Sequence, residues 1–348
     1  MSLKKIIIIG SGWFGCHIAS ILKEKYNVTI IEKNNNIFDN SSYYNQNRLH
    51  LGYHYCRNYN TRKLCKQKYE RFLEKYQLLV DDIDKNYYVI SNNSILDYQT
   101  FINIYNYEKY DFEILENIYL DNIDGNIIDV KEKIINSEKA KSYFKEELKN
   151  ITQIFNTKVA NYTKLDNKIM VETENKDIYE CDILLDCTYN QLGLSKKKYI
   201  YENTISLLFE KKKESFLNAL TIMDGEFSSL YPRDILNNIY TLTDVENTPL
   251  IKSICYKDIE NYQITENIIL NVKEKMIKKI ELYYPDFQDN FQYKGYFLSK
   301  KTKMLSFSDS RDITVEEIEK NVLTVNCGKI YGIFDWEDYV INYLQLQI

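Results

Sequence analysis

The chain has 348 residues, with 50 acidic against 45 basic side chains and a net charge of −5, a length that exceeds one typical core and leads us to expect two domains. That charge argues against a general grip on nucleic-acid phosphates, and no apolar run reaches the length of a membrane-spanning helix. Only Met1-Ser2-Leu3 precedes the first apolar run, too little for a signal peptide, so a cytoplasmic protein is expected.

Residues 4–9 are an apolar run that predicts a strand, followed by the turn Gly10-Ser11-Gly12-Trp13-Phe14-Gly15. A helix over residues 16–25 and a second strand, Val28-Thr29-Ile30-Ile31-Glu32, complete the unit. This is the dinucleotide-binding fingerprint in the strand–turn–helix setting it requires. Gly10 permits the tight turn, Gly12 lets backbone approach a pyrophosphate, and Gly15 lets the helix pack close to the sheet. Unpaired N–H groups at the helix start are then left for the phosphates, with Trp13 and Phe14 in the same turn. Glu32, next to Lys33, lies where a carboxylate accepts ribose hydroxyl protons. A 2′-phosphate would meet that charge at close range, which disfavours NADP. The bland alternative is a glycine-rich turn with no ligand.

A polar stretch over residues 34–47 leads into Asn45-Gln46-Asn47-Arg48-Leu49-His50-Leu51-Gly52-Tyr53-His54-Tyr55-Cys56-Arg57. Two imidazoles, two guanidiniums and two phenols fall within residues 48–57, groups that bind anions and move protons near neutral pH. If extended, the run places Arg48, His50, Gly52 and His54 on one face. Leu64, Tyr69, Phe72, Leu73 and Tyr76 recur at helical spacing over residues 61–76. Residues 87–91 read as a strand, and 95–107 fit helix or strand. Short strands return at 157–162, 168–173 and 178–181, and the nearly all-apolar 182–188 reads as a strand buried on both faces. Residues 204–210, 219–223 and 239–243 suggest a larger antiparallel sheet, 272–284 a helix stopped by Pro285, and 294–305 an extended segment. An apolar strand at 321–326 ends at Gly328, and 330–346 predicts a closing helix.

Seven scattered cysteines, odd in number and without a C-x-x-C pair, read as reduced thiols. His17, His50 and His54 are the only histidines, which leaves no H-E-x-x-H motif, and no metal is expected.

The residue 10–32 unit, the run from Arg48 to Tyr55, the strand ending at Thr188 and the Cys327-Gly328-Lys329-Ile330 turn occur in an order that resembles FAD-dependent oxidoreductases of the D-amino-acid-oxidase superfamily. His50, Gly52 and Tyr55 match the His-x-Gly-x-x-Tyr segment of its glycerol-3-phosphate dehydrogenase and L-2-hydroxyglutarate oxidase branch. The resemblance covers about half of the chain and implies FAD as cofactor. It implies that the segment containing Asn45 and Arg48 passes along the flavin and that Val159 meets the adenine. It also implies that Gly328, Lys329 and Ile330 bring N–H groups and a helix end toward the flavin N1–C2=O edge. Relatives usually carry a glycine soon after Thr188, where this chain has Tyr189.

Arg233 and Arg311 each sit in a turn-like setting next to an acid, and such an arginine either clamps a substrate anion or braces its own loop. The expected fold class is α/β, with a Rossmann-like FAD-binding domain (1–80, 151–205 and 301–348) interleaved with a mainly antiparallel-sheet substrate or cap domain (81–150 and 206–300). The expected activity is oxidation of a C–H bond beside an amine or hydroxyl of a small polar, anionic metabolite. His50 would accept the proton, with His54 in reserve, and Arg48 or Arg311 would fix the anion. The alternatives are a flavoenzyme resembling UDP-galactopyranose mutase, acting on a nucleotide sugar without net redox change, and a non-catalytic flavin- or NAD-binding protein. The residues leave substrate identity, electron acceptor, covalent attachment of the flavin and oligomeric state open.

Overall fold

The computed structural model describes residues 3–115, 125–212, 219–225, 227–305 and 313–346. The apolar run at the start forms the strand Lys5–Ile9, and the helix Trp13–Leu22 returns the chain to the parallel strand Asn27–Ile31. Ile183–Asp186 pairs on the other side of the first strand, again parallel. Thr152–Ile154, Val322–Asn326 and the antiparallel Thr314–Glu319 complete a six-stranded sheet. Ile6, Ile8, Ile30, Ile183 and Leu185 point from it into a core shared with the first and last helices. Both faces of the sheet are covered, because Ile7, Ile9, Ile31 and Leu184 pack against the three-stranded sheet Val159–Leu165, Lys168–Thr173 and Ile178–Cys181. That is why these strands are continuous apolar runs rather than alternating ones.

A larger sheet spans the chain's middle. Tyr199–Lys211 pairs along its length with Phe291–Met304, and Ile239–Asp244, Ser228–Asp234, Ala219–Met223, Asn86–Ser91 and Gly125–Val130 extend the sheet. The pairing is antiparallel except where Ala219–Met223 meets Asn86–Ser91. One face is apolar and takes the helix Glu266–Glu281 through Ile269, Met276 and Ile280. This helix begins at Thr265, whose side chain accepts from Ile268 N–H, and ends before Pro285. Residues 95–107 resolve as the helix Tyr98–Tyr107. Asp97 caps its start by accepting from Thr100 N–H, a local bond that favours helix over strand.

Strands of the six-stranded sheet come from both ends and the middle of the chain, with the large sheet's strands between them. Met1–Ile154 expressed alone should therefore lack the Ile183–Asp186 and Val322–Asn326 partners of its first strand and fail to melt cooperatively. A soluble fragment of that extent with a sharp thermal transition would refute this.

Candidate functional site

The first two strands and the helix between them converge on the glycine turn. Gly10 holds φ +93°, and a Cβ there would lie 2.9 Å from the Cys187 carbonyl oxygen; at Gly15 it would lie 1.9 Å from the Gly10 carbonyl oxygen. Gly15 thus seats the helix against the turn, behind the cleft, while Gly10 and Gly12 line it. Gly12 has no side chain to cap the helix, so apart from the Trp13 N–H the start of the helix faces an anion with its backbone N–H groups. Trp13 N–H donates to Ser42 Oγ at 3.0 Å. The Trp13 ring turns the other way, packing among Phe38, Phe72, Tyr76 and Phe144, so at Trp13 the backbone rather than the indole faces the site. Ser42, which meets Gly12 as well, had no signal beyond its place in a polar stretch.

Glu32 is buried, and its Oε2 accepts from both Ser11 N–H and Ser11 Oγ at 2.8 Å, while Oε1 accepts from Asn34 N–H at 3.0 Å. These bonds fix the carboxylate at the cleft wall. Glu32→Ala should weaken FAD binding by about 1.5–3 kcal/mol, the range for hydrogen bonds to a charged group; equal dissociation constants by fluorescence titration would place Glu32 away from the ribose. Lys33 Nζ donates to Gln191 Oε1 at 2.6 Å and to the Tyr256 hydroxyl at 3.2 Å. Burial, then the nearby Lys300, lowers its pKa.

The wall continues through Asn45, Val159 and Thr188. Tyr189 and Asn190 both adopt positive φ, +63° and +57°, the backbone region that favours glycine. The chain makes the turn after Thr188 without one. Thr302 Oγ1 donates to the Tyr189 carbonyl at 2.7 Å, and Asn190 Nδ2 donates to the Tyr201 hydroxyl at 2.8 Å, holding that conformation in place.

At the other end of the cleft the extended reading of residues 48–55 is corrected. Only Arg48–Leu49 is a strand; Gly52 at φ +121° breaks it, and Tyr53–Tyr55 forms a 3-10 turn. The turn still brings His50 and His54 together, with ring centroids 5.6 Å apart, and Tyr55 beside both. All three line the cleft with Gly328, Lys329 and Ile330. Lys329 Nζ lies 4.2 Å from the Tyr55 ring centroid. Burial and then the Arg48 charge push its ammonium down to about 7. Burial, with Arg48 and His50 nearby, pushes the His54 imidazole well below its ordinary range, and its Nδ1 has no hydrogen-bond partner among the described residues.

Arg48 is almost wholly buried and engaged by the large sheet. Nη1 donates to the Tyr88 hydroxyl, Nη2 to Thr221 Oγ1 at 2.9 Å and Ser229 Oγ at 2.8 Å, and the guanidinium stacks 4.0 Å from the Tyr231 ring centroid. Arg57 forms an ion pair with Asp224 at 2.6 Å. Arg233 packs over the rings of Tyr43 and Phe297, outside the cleft lining. Arg311 lies outside the described residues.

The cleft measures about 670 Å³ and runs from Gly10 to His50, within the roughly 300–1,000 Å³ of ligand cavities. Its donors suit FAD. The glycine turn and the first helix lie at one end, with the Glu32 carboxylate bonded to Ser11 of that turn, and Lys329 lies at the imidazole end, where the first N–H groups of the last helix, at Gly332, Ile333 and Phe334, are already donated to the carbonyls of Lys329, Ile330 and Tyr331. Among the described residues no helix is long and apolar enough to cross a membrane.

Residues 8–67 match a family model described as an NAD(P)-binding Rossmann-like domain. The FAD-dependent monooxygenase FPY4 of Fusarium mangiferae is 30% identical over 341 residues, 96% of this chain and 89% of FPY4. The FAD-dependent monooxygenase kojA of Aspergillus flavus is 24% identical, covering 97% of this chain and 85% of its own. Among solved structures, L-alpha-glycerophosphate oxidase from Mycoplasma pneumoniae, with FAD bound, superposes with a TM-score of 0.76 at 14% identity, over 99% of this chain and 95% of that one. Glycine oxidase from Geobacillus kaustophilus does so at 0.73 and 9% identity, over 98% and 95%. The structural likenesses establish the fold. Identity at the level of FPY4, sustained from end to end rather than confined to the glycine turn, goes further, and the chain belongs to the family of FAD-dependent oxidoreductases that includes FPY4.

Proposed function

We propose that the protein oxidises a small, polar, hydroxylated metabolite at a carbon bearing a hydroxyl or amine, and that His50 takes the proton from that oxygen or nitrogen. The observation that carries the reading is the pair of imidazoles set beside Lys329 in one cleft with the glycine turn. FAD, when bound, supplies the acceptor for the hydrogen and electron pair leaving the substrate carbon. Gly10, Gly12 and the helix start would hold its pyrophosphate, Glu32 its ribose, and Lys329 its flavin edge. His54, held neutral by burial, is the weaker base, which favours His50 for the proton.

The hydroxylated character of the substrate is supported by alternation in the large sheet. Ile205, Leu207, Leu220, Leu230 and Leu242 face the apolar side, whereas Thr204, Ser206, Ser229 and Thr243 line the cleft. Three donated hydrogen bonds from Arg48 go to protein hydroxyls, and Arg57 is paired with Asp224. Among the described residues, cleft arginines so occupied favour a neutral polar substrate over the anion expected from sequence. A second reading, insertion of one oxygen atom, is favoured by the relatives FPY4 and kojA, both named as FAD-dependent monooxygenases.

The test is the visible spectrum of the purified protein during anaerobic addition of hydroxylated and anionic candidates, with and without NADH or NADPH. Bleaching by a neutral hydroxylated compound alone supports the proposal. Bleaching only by a reduced nicotinamide points to the monooxygenase reading, and bleaching by carboxylates or phosphates alone overturns the neutral-substrate assignment.

A further inference from the structure

The imidazole pair is anchored by a residue with no sequence signal of its own. Glu132 lies in the link between the strands Gly125–Val130 and Lys133–Ile135. Lys133 pairs with Leu49 in an antiparallel ladder, so the register sets Glu132 opposite His50. Its side chain is fully buried. Oε1 accepts from Leu51 N–H at 2.8 Å and Gly52 N–H at 3.2 Å, and Oε2 accepts from the Tyr88 hydroxyl at 2.6 Å. Tethered at both oxygens, the carboxylate stands 3.7 Å from His50 Nδ1 and 3.8 Å from Arg48 Nη1. The first distance exceeds a hydrogen bond but is short for a charge acting through a dry interior. An unprotonated Nδ1 would turn its lone pair toward that negative charge, whereas an N–H there is attracted to it.

We propose that Glu132 is the positioning residue for His50, holding the ring in its Nδ1–H form so that Nε2 receives the substrate proton, and balancing the positive charge the ring then carries. The inference rests on the reading of His50 as proton acceptor. In that step the substrate O–H or N–H bond breaks and its proton forms the Nε2–H bond. The electron pair left behind becomes the second bond to carbon, as that carbon's hydrogen departs with its pair to the FAD. Glu132 touches no reacting atom. Among the described residues, the groups around His50 include Arg48 on its own segment, His54, Lys329 from the turn before the last helix, Tyr55, and Tyr331, whose hydroxyl donates to the His50 carbonyl. Arg48 and Lys329 oppose a charged imidazole; Glu132 is the anion among these groups that favours it.

The chain's three histidines make a direct test practical. FAD-loaded protein carrying ¹⁵N-labelled histidine gives signals from three rings by NMR, two nitrogens in each, assigned with His17→Gln, His50→Gln and His54→Gln. Neutral His50 should show a protonated Nδ1 and a bare Nε2. In Glu132→Gln the two tautomers should mix and the His50 titration should move to lower pH. Tyr88→Phe removes one donor to the same carboxylate but keeps its charge, and should retain the Nδ1–H form. A wild-type His50 protonated at Nε2 when neutral overturns the proposal whether or not any variant folds. So does a folded Glu132→Gln whose tautomer and titration match wild type, since a purely structural role would lower thermal stability alone. If His50→Gln turns over as fast as wild type while the NMR results hold, His50 leaves the chemistry and its coupling to Glu132 stands.

Discussion

Replacing His50 with glutamine should leave FAD bound and slow anaerobic flavin reduction by about 10²–10⁴-fold, the usual contribution of a positioned general base. Glutamine is similar in size and neutral, so the Leu51–Gly52 turn keeps its bonds to Glu132 and the cleft its shape. What disappears is the nitrogen that takes the proton. His54 stands with its ring 5.6 Å from that of His50, but burial keeps it a poor base, so it should not restore the rate. The measurement is rapid-mixing reduction across pH and substrate concentration once a reducing substrate is in hand. Wild-type rates for His50→Gln at every pH would make its segment a wall of the cleft and nothing more.

Gly15→Ala should damage both the fold and the cofactor site. A Cβ there would lie 1.9 Å from the Gly10 carbonyl oxygen and 3.4 Å from Ile8 Cγ2, and backbone on one side and a packed strand on the other cannot both retreat. The expected cost is about 3 kcal/mol or more, the upper end for overpacking, seen as a lower melting temperature and loss of FAD on purification. Gly193→Ala is the contrast. Its Cβ would meet nothing within 4 Å and only its φ of +67° resists, so about 1 kcal/mol is expected, by the scale of an unfavourable backbone conformation. Equal melting temperatures for the two variants would show that the Gly15 contact relaxes and that the close approach is not what selects glycine.

These two sites differ in how they could be found. Glycine spacing, the strand before it and the acid 17 residues after Gly15 form a local pattern, and short-range geometry decides it. The apolar runs that become the parallel strands were legible for a related reason: burial on both faces leaves a composition that a single strand displays by itself. The region from Arg48 to Arg57 was legible as a concentration of chemistry but not as a shape. Gly52 and the Glu132 acceptor 80 residues away from it turn the chain there, and an extended reading had no means to include either. Residues 95–107 stayed ambiguous for want of weighing one capping bond from Asp97.

The sequence by itself determined the α/β class and the dinucleotide turn, and by resemblance FAD as cofactor, because each rests on residues that act within a few positions of one another or on a motif order similar to that of FAD-dependent oxidoreductases. The tertiary structure alone decided which charges are spoken for. Arg48 finds Tyr88, Thr221 and Ser229 at separations of 40, 173 and 181 residues, and Glu132 meets the His50 turn across the Arg48–Ile134 ladder. In sequence Arg48 reads as a cation for a substrate anion and Glu132 as one acid among lysines. A charge's role depends on its distance to partners and on the water excluded around it, and both quantities exist only once the sheets have closed over the cleft.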